Sequence, residues 1–145
     1  MAEFPHHYEV TASGAPQGPV AVSSPGLDSL ETAPPAQFGG PGDRWSPETL
    51  LVGAMADCFV LTFRAIARAS KAPWVSLRCE VEGTLDRVER VTRFTGFVVR
   101  ASLRLPAGAD AEQGRRLLER AEHGCLITNS LKGESRLEAT VDVEP

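Results

Sequence analysis

From Leu50 to Ala69 the apolar positions recur at intervals of three and four: Leu50, Leu51, Ala54, Met55, Cys58, Phe59, Thr62, Ala65, Ile66 and Ala69. That is the period of an α-helix, and it predicts one of about 24 residues. The start is marked chemically. Ser46 suits the N-cap, where its hydroxyl accepts from an orphan backbone N–H. Pro47 suits the first helical position, where no N–H is needed. Glu48 places a negative charge in the first turn, at the positive end of the helix dipole. Pro73 closes the segment. The apolar stripe is broad and charges are few before Arg64, so the helix is expected to be buried on most sides.

The pattern changes on either side of this helix. Residues 1–44 are punctuated by Pro and Gly, with short strand candidates at Tyr8–Ala12 and Val20–Ser23 and a loop from Pro34 to Arg44. Beyond it, Val75, Leu77, Cys79 and Val81 alternate on one face of a strand over 75–85. Arg87–Leu105 reads as a second, antiparallel strand after a turn near Asp86–Glu89. Asp110 with Gln113 looks like a capping box, and Leu117, Leu118 and Ala121 form the apolar side of a second helix that Gly124 ends. Cys125–Leu131 fits one or two helical turns, and Leu137–Val143 alternates as a final strand. The order of strands, long helix, strands, helix and strand gives an α+β class. We expect one domain over 1–145, with a strand and loop region at 1–44 and a core at 45–145.

Composition narrows the partners. The 145 residues carry a formal net charge of −4, with 42% hydrophobic and 23% charged residues, an ordinary globular balance. No basic patch stands out of the kind that tracks a phosphate backbone, so nucleic acid is not expected as a partner. No segment approaches the 18 or more apolar residues of a membrane span. Met1–His7 lacks the basic and apolar regions of a signal peptide. The expectation is a cytoplasmic protein that does not engage a membrane.

The three cysteines, Cys58, Cys79 and Cys125, carry the chemistry. An odd number argues against a purely structural disulfide framework. Bonded cysteines in a reducing compartment are usually catalytic or redox-sensing. Alone, Cys58 on an apolar helical stripe reads first as a small buried hydrophobe. Cys125 changes the weighing. It follows a helix end at Gly124 and opens another helical segment, where unpaired N–H groups favour a thiolate. A second thiol able to resolve a sulfenic acid is what a two-cysteine redox site needs. The two stand 67 positions apart, so only the fold could bring them together. Cys79, mid-strand and facing the core, reads as structural. The adjacent His6 and His7 are a weak metal signal with no companion ligand at the usual spacing. CxxC, HExxH, GxSxG and phosphate-cradling glycine motifs are all missing, and no cofactor or metal is expected.

Two segments taken together resemble a known family. Trp45–Phe59 (WSPETLLVGAMADCF) resembles the "sPEeLLlaAlasCf" helix of the OsmC/Ohr family of osmotically inducible and organic hydroperoxide resistance proteins. Ala121–Leu131 (AEHGCLITNSL) resembles its "Ae..CpisnsL" segment. The two motifs, their order and their separation agree, and the likeness extends over about residues 45–143.

The resemblance implies an OsmC-like fold in an intertwined homodimer, with sheets wrapping a pair of long central helices and active sites at the subunit interface. It implies a thiol peroxidase. Cys58 would attack an organic or lipid hydroperoxide, or hydrogen peroxide, and Cys125 would resolve the sulfenic acid as a disulfide. A dithiol, typically dihydrolipoyl in the organic hydroperoxide branch, would restore the thiols. Family peroxidases pair the reactive cysteine with an Arg held by a Glu. Glu48 takes the place of that Glu, and Arg44, just upstream of the helix, is the substitute cation. Glu48 lies ten positions before Cys58, about 15 Å along one helix axis, so it would serve the Cys58 of the other chain. The competing reading is an OsmC-like binding or redox-sensing module with little peroxidase turnover.

Overall fold

The computed structural model describes residues 3–145, which group into two compact units, one up to Leu51 and one from Val52 to Pro145. The division between them falls inside the long helix.

The first unit is an antiparallel three-stranded sheet in the order β1 (Thr11–Ser13), β2 (Val20–Ser23), β3 (Leu30–Thr32). The predicted strand at Tyr8–Ala12 forms only from Thr11, and β3 was not anticipated. The β2–β3 connection is set by Pro25-Gly26. Leu27 N–H closes on Ser24 C=O at 3.1 Å, and Gly26 takes φ +78°, a left-handed value at the third turn position that favours glycine. A single 3-10 turn at Ala36–Phe38 precedes the return of the chain, where Ala33 N–H bonds Trp45 C=O at 3.0 Å.

Helix α1 runs from Pro47 to Ala69. Ser46, 1% exposed, caps it as its sequence suggests. Its Oγ accepts from the Thr49 N–H at 3.1 Å, and Thr49 Oγ1 accepts from the Ser46 N–H at 2.9 Å. This reciprocal pair is a capping box with threonine as the third-position partner.

In the second unit, β4 (Ser76–Val88) and β5 (Val91–Leu105) form a long antiparallel hairpin, and β6 (Glu134–Val143) pairs parallel to β5. The hairpin turns at Glu89 and Arg90, both at positive φ (50° and 69°), the mirror-image turn that matches strand twist. A parallel return needs a crossover. α2 (Ala111–Gly124) and the short α3 (Leu126–Asn129) supply it. Asp110 caps α2 by accepting from the Glu112 N–H at 2.9 Å.

The core joins alternate β5 residues Phe97, Val99, Ala101, Leu103 and Leu105 to Met55, Phe59, Phe63 and Ala67 of α1 and Leu117, Leu118 and Ala121 of α2. Gly114 lets α2 approach the sheet. A Cβ there would lie 3.0 Å from Leu105 Cδ1 and 3.2 Å from Leu103 Cδ2.

Two expectations for α1 are corrected. The helix is long and apolar enough to cross a membrane by length and composition, because residues 50–67 hold only two charges, Asp57 and Arg64. It is also not buried on most sides: only 22% of its most apolar 18-residue stretch is buried. The buried residues, Met55, Phe59, Phe63 and Ala67, fall at a spacing of four and make one stripe, because within the second unit the core covers one side of the helix.

Candidate active site

The site forms where α1 meets the corner between α2 and α3. Cys125 is that corner. Its backbone is extended (φ −69°, ψ 108°), so it ends α2 and opens α3. The corner is tied down locally. Asn129 N–H bonds the Cys125 carbonyl at 3.0 Å. The Asn129 side-chain amide donates to His123 C=O at 3.1 Å, and the Ser130 hydroxyl donates to Leu126 C=O at 2.8 Å. Cys125 is thereby fixed and 1% exposed. Cys58 presents itself from α1, half-buried and free, and the fold brings the two thiols into interaction across their long sequence separation.

Their electrostatics differ. Burial pushes the Cys58 thiol up, but four donors outweigh it: the Ile127 backbone N–H, the Cys125 thiol, the Thr62 hydroxyl and the Leu126 backbone N–H. The result lies below the ordinary thiol value, which is what a nucleophilic cysteine needs at neutral pH. The Thr62 Oγ1 to Cys58 Sγ distance is 3.7 Å. Cys125 moves the other way. Burial raises it, Thr128 draws it down through its hydroxyl and backbone, and Cys58 raises it by taking its proton as a hydrogen bond and by charge. The N–H groups opening α3 thus divide: those of Ile127 and Leu126 favour the Cys58 thiolate across the contact, and that of Thr128 favours the Cys125 thiolate, as the sequence suggested. The N–H groups of the first turn of a helix have no intrahelical acceptor and are free to do so.

Cys79 on β4 is partly buried against the core and free. Burial, then the charges of Cys125 and Glu80, push it up to about 11. It stays a neutral thiol, as its structural reading requires.

The remaining nominated residues lie in the first unit. Arg44 forms an ion pair with Glu31, so its charge is already partnered. Glu48 sits in the first turn of α1, ten positions before Cys58 on one unbroken helix, with Oε1 buried and without a hydrogen-bond partner among the described residues. The sequence reading missed Thr62 and the two backbone donors. Thr62 had one available signal, its spacing of four from Cys58, which places both on one helix face. It had been counted only as a filler of the apolar stripe.

Among the described residues no group of three or more His, Cys, Asp or Glu is arranged to hold a metal ion.

The sequence profile of the OsmC-like protein family matches residues 40–140, a span that holds both Cys58 and Cys125. The uncharacterised protein YmaD of Bacillus subtilis is 30% identical over 112 residues, covering 74% of this chain and 75% of that protein. An organic hydroperoxide resistance protein of Xanthomonas axonopodis pv. citri is 27% identical over 126 residues, covering 85% of this chain and 84% of its own. Among solved structures, an OsmC-like protein of unknown function from Vibrio cholerae superposes with a TM-score of 0.85 at 16% identity, over 93% of this chain and 99% of that one. The fold is OsmC-like.

Proposed function

The chain belongs to the OsmC-like protein family, and on that premise we propose that it is a two-cysteine thiol peroxidase that reduces organic hydroperoxides. The observation that carries the reading is the pair Cys58 and Cys125: in contact, with the Cys58 thiol lowered and the Cys125 thiol raised. A likeness to organic hydroperoxide resistance proteins supports the substrate class and a role in peroxide stress.

The Cys58 thiolate attacks the terminal oxygen of the hydroperoxide. An S–O bond forms, the O–O bond breaks, and the leaving alkoxide takes a proton to become the alcohol. Sulfur is oxidised to a sulfenic acid as the peroxide is reduced. The Cys125 sulfur then attacks the sulfenic sulfur, an S–S bond forms, and water leaves. An external dithiol, such as a dihydrolipoyl group, returns both cysteines to thiols by exchange. The division of labour follows the pKa order, since the lowered thiol carries the larger thiolate fraction when peroxide arrives.

We assign Glu48 and Arg44 their roles in a homodimer, where a second copy brings Glu48 to orient the site and Arg44 to supply positive charge beside Cys58. The incomplete burial of the apolar α1 supports that assembly, which would cover the helix with protein rather than lipid. A cytoplasmic location follows the same reading. Because Arg44 is engaged by Glu31, a second reading stands beside the first, a redox-sensing or binding module with little turnover.

The test is stopped-flow oxidation of the reduced protein by cumene hydroperoxide and by hydrogen peroxide, with Cys58→Ser and Cys125→Ser. Fast oxidation abolished by Cys58→Ser, and halted at the sulfenic acid by Cys125→Ser, is the expected outcome. Oxidation no faster than that of a free thiol at the same pH would overturn the peroxidase reading. Fast oxidation without turnover on any dithiol would favour the sensor.

A further inference from the structure

We propose that Thr62 is a positioning residue for the reactive sulfur, its hydroxyl donating to the Cys58 thiolate while its methyl braces the end of α2 that delivers Cys125. The inference rests on the reading of Cys58 as the reacting thiol.

The first observation is the contact itself. Thr62 follows Cys58 by one turn of α1, and its Oγ1 stands 3.7 Å from Cys58 Sγ. A thiolate has no proton to give, so once Cys58 ionises the hydroxyl is the only member of the pair that can donate. The second observation is on the other side of the same Cβ. Thr62 Cγ2 lies 3.6 Å from where a Cβ on Gly124 would be, and Gly124 is the last residue of α2, immediately before Cys125. One side chain therefore meets the nucleophile with its polar branch and turns its apolar branch toward the open side of Gly124, just before the resolving thiol. A β-branched residue, stiff at χ1 in a helix, holds both branches in fixed directions.

The third consideration is chemical. Four described groups favour the Cys58 thiolate: the Ile127 and Leu126 N–H groups, the Cys125 thiol and Thr62, the last with its hydroxyl 3.7 Å from the sulfur. Two of them are backbone. Cys125 must give up its proton when it resolves the sulfenic acid. Thr62 is the one side-chain donor that takes no part in the covalent chemistry and is unchanged from one turnover to the next. It stands where a neutral hydroxyl can hold a thiolate, while the one nominated cation, Arg44, is paired with Glu31.

The titratable group facing Cys58 is Cys125, with Cys79 of β4 interacting with Cys125 in turn. Asp57, beside Cys58 in sequence, is exposed, and Glu122 stands three residues before Cys125 on α2. Thr62 does not titrate. Its removal should therefore displace the Cys58 profile without adding a new step.

The experiment is the pH dependence of iodoacetamide alkylation of Cys58 in the reduced protein, resolved from the other cysteines by mass spectrometry. It is run on wild type, Thr62→Val and Thr62→Ser. Thr62→Val keeps the shape and loses the hydroxyl; Thr62→Ser keeps the hydroxyl and loses the methyl. A lost hydrogen bond to a charged group predicts that Thr62→Val moves the profile to higher pH and slows alkylation about tenfold below its midpoint. Thr62→Ser should keep the wild-type midpoint. A wild-type profile in Thr62→Val overturns the proposal. Equal displacement in both variants overturns it too, because that would be a packing effect. If Thr62→Val fails to fold, Thr62→Ala carries the hydroxyl-free arm on the same criteria. Alkylation uses no peroxide. A protein inert to hydroperoxides would therefore remove the peroxidase reading and leave this result standing.

Discussion

The Cys58 and Cys125 thiols interact where α1 meets the α2–α3 corner, and they shift in opposite directions: the Ile127 N–H, Cys125, Thr62 and the Leu126 N–H outweigh burial and lower Cys58, while burial, with Cys58 adding to it, raises Cys125. In the proposed peroxidase cycle the lowered thiol reacts first, and once Cys58 carries a sulfenic acid it is no longer a charged acceptor, so the charge that favours the Cys125 thiol is removed before Cys125 has to react.

The pH dependence follows. A lowered thiol ionises at lower pH than a free cysteine, whose value is about 8.5. The rate of Cys58 oxidation should rise with pH, with its midpoint below that of a free thiol. Cys125→Ala removes one of the donors, so its Cys58 profile should shift to higher pH. Stability carries the matching sign. A depressed folded value contributes stability present above the unfolded value and lost as pH falls through the folded one. Alkylation and chemical unfolding across the same pH range check both statements.

Cys79 should be nearly inert. With its thiol pushed up to about 11, its thiolate fraction at neutral pH is far below that of a free cysteine. Brief alkylation at pH 7 should label Cys58 and leave Cys79 unmodified, as read by peptide mass spectrometry. Cys79→Ala should leave peroxide oxidation of Cys58 unchanged. Because its folded value is raised, its contribution to stability is fully present below the unfolded value and lost as pH rises toward about 11. Comparable labelling of Cys79 and Cys58 would contradict this.

The parts of this fold that were legible in the sequence are those governed by local chemistry. Ser46 and Pro47 mark the start of α1, Asp110 that of α2, and period-two alternation marks the long strands. What stayed hidden depends on pairing between distant segments. β3 holds three residues, Leu30–Thr32, and exists because β2 pairs with it. The 89–90 turn uses Glu89 and Arg90 at positive φ, where the usual Asn-Gly signal is missing. At the site, the two cysteines could be nominated from their motifs. The donors at Leu126 and Ile127 are backbone groups with no residue signature, and Thr62 looked like filler until its hydroxyl was seen against sulfur.

The cap of α1 is open to a direct measurement. Ser46→Ala removes the acceptor of the Thr49 N–H and the partner of its hydroxyl in one step. Loss of an N-cap costs about 1 kcal/mol, and up to about 2 kcal/mol in protein hosts. For a chain of this size that lowers the melting temperature by roughly 2–4 °C per kcal/mol. Ser46→Asp, which can still accept, should recover most of the loss. Calorimetry on the two variants checks the direction, and Cys58 alkylation should be unaffected in both.

The assembly is the last expectation. An apolar helix only 22% buried over its central stretch, with Leu61 48% exposed in its middle, is a surface that a lone chain would leave in water. Exposed apolar area of that kind marks an interaction site, and in the proposed homodimer the partner is a second copy. Sedimentation at micromolar concentration should give twice the 15.5 kDa mass of one chain. Leu61→Asp places a charge on the exposed side of α1 without touching the buried stripe of Met55, Phe59, Phe63 and Ala67. Burying an unpaired carboxylate at an interface is costly, so this variant should dissociate to the single-chain mass while keeping its circular dichroism. If Glu48 serves the Cys58 of a second copy, dissociation should also slow peroxide oxidation. A wild-type protein that sediments only at the mass of one chain would remove the dimer, and with it the roles given to Glu48 and Arg44. Cys58, Cys125 and Thr62 would remain as a site contained in a single chain.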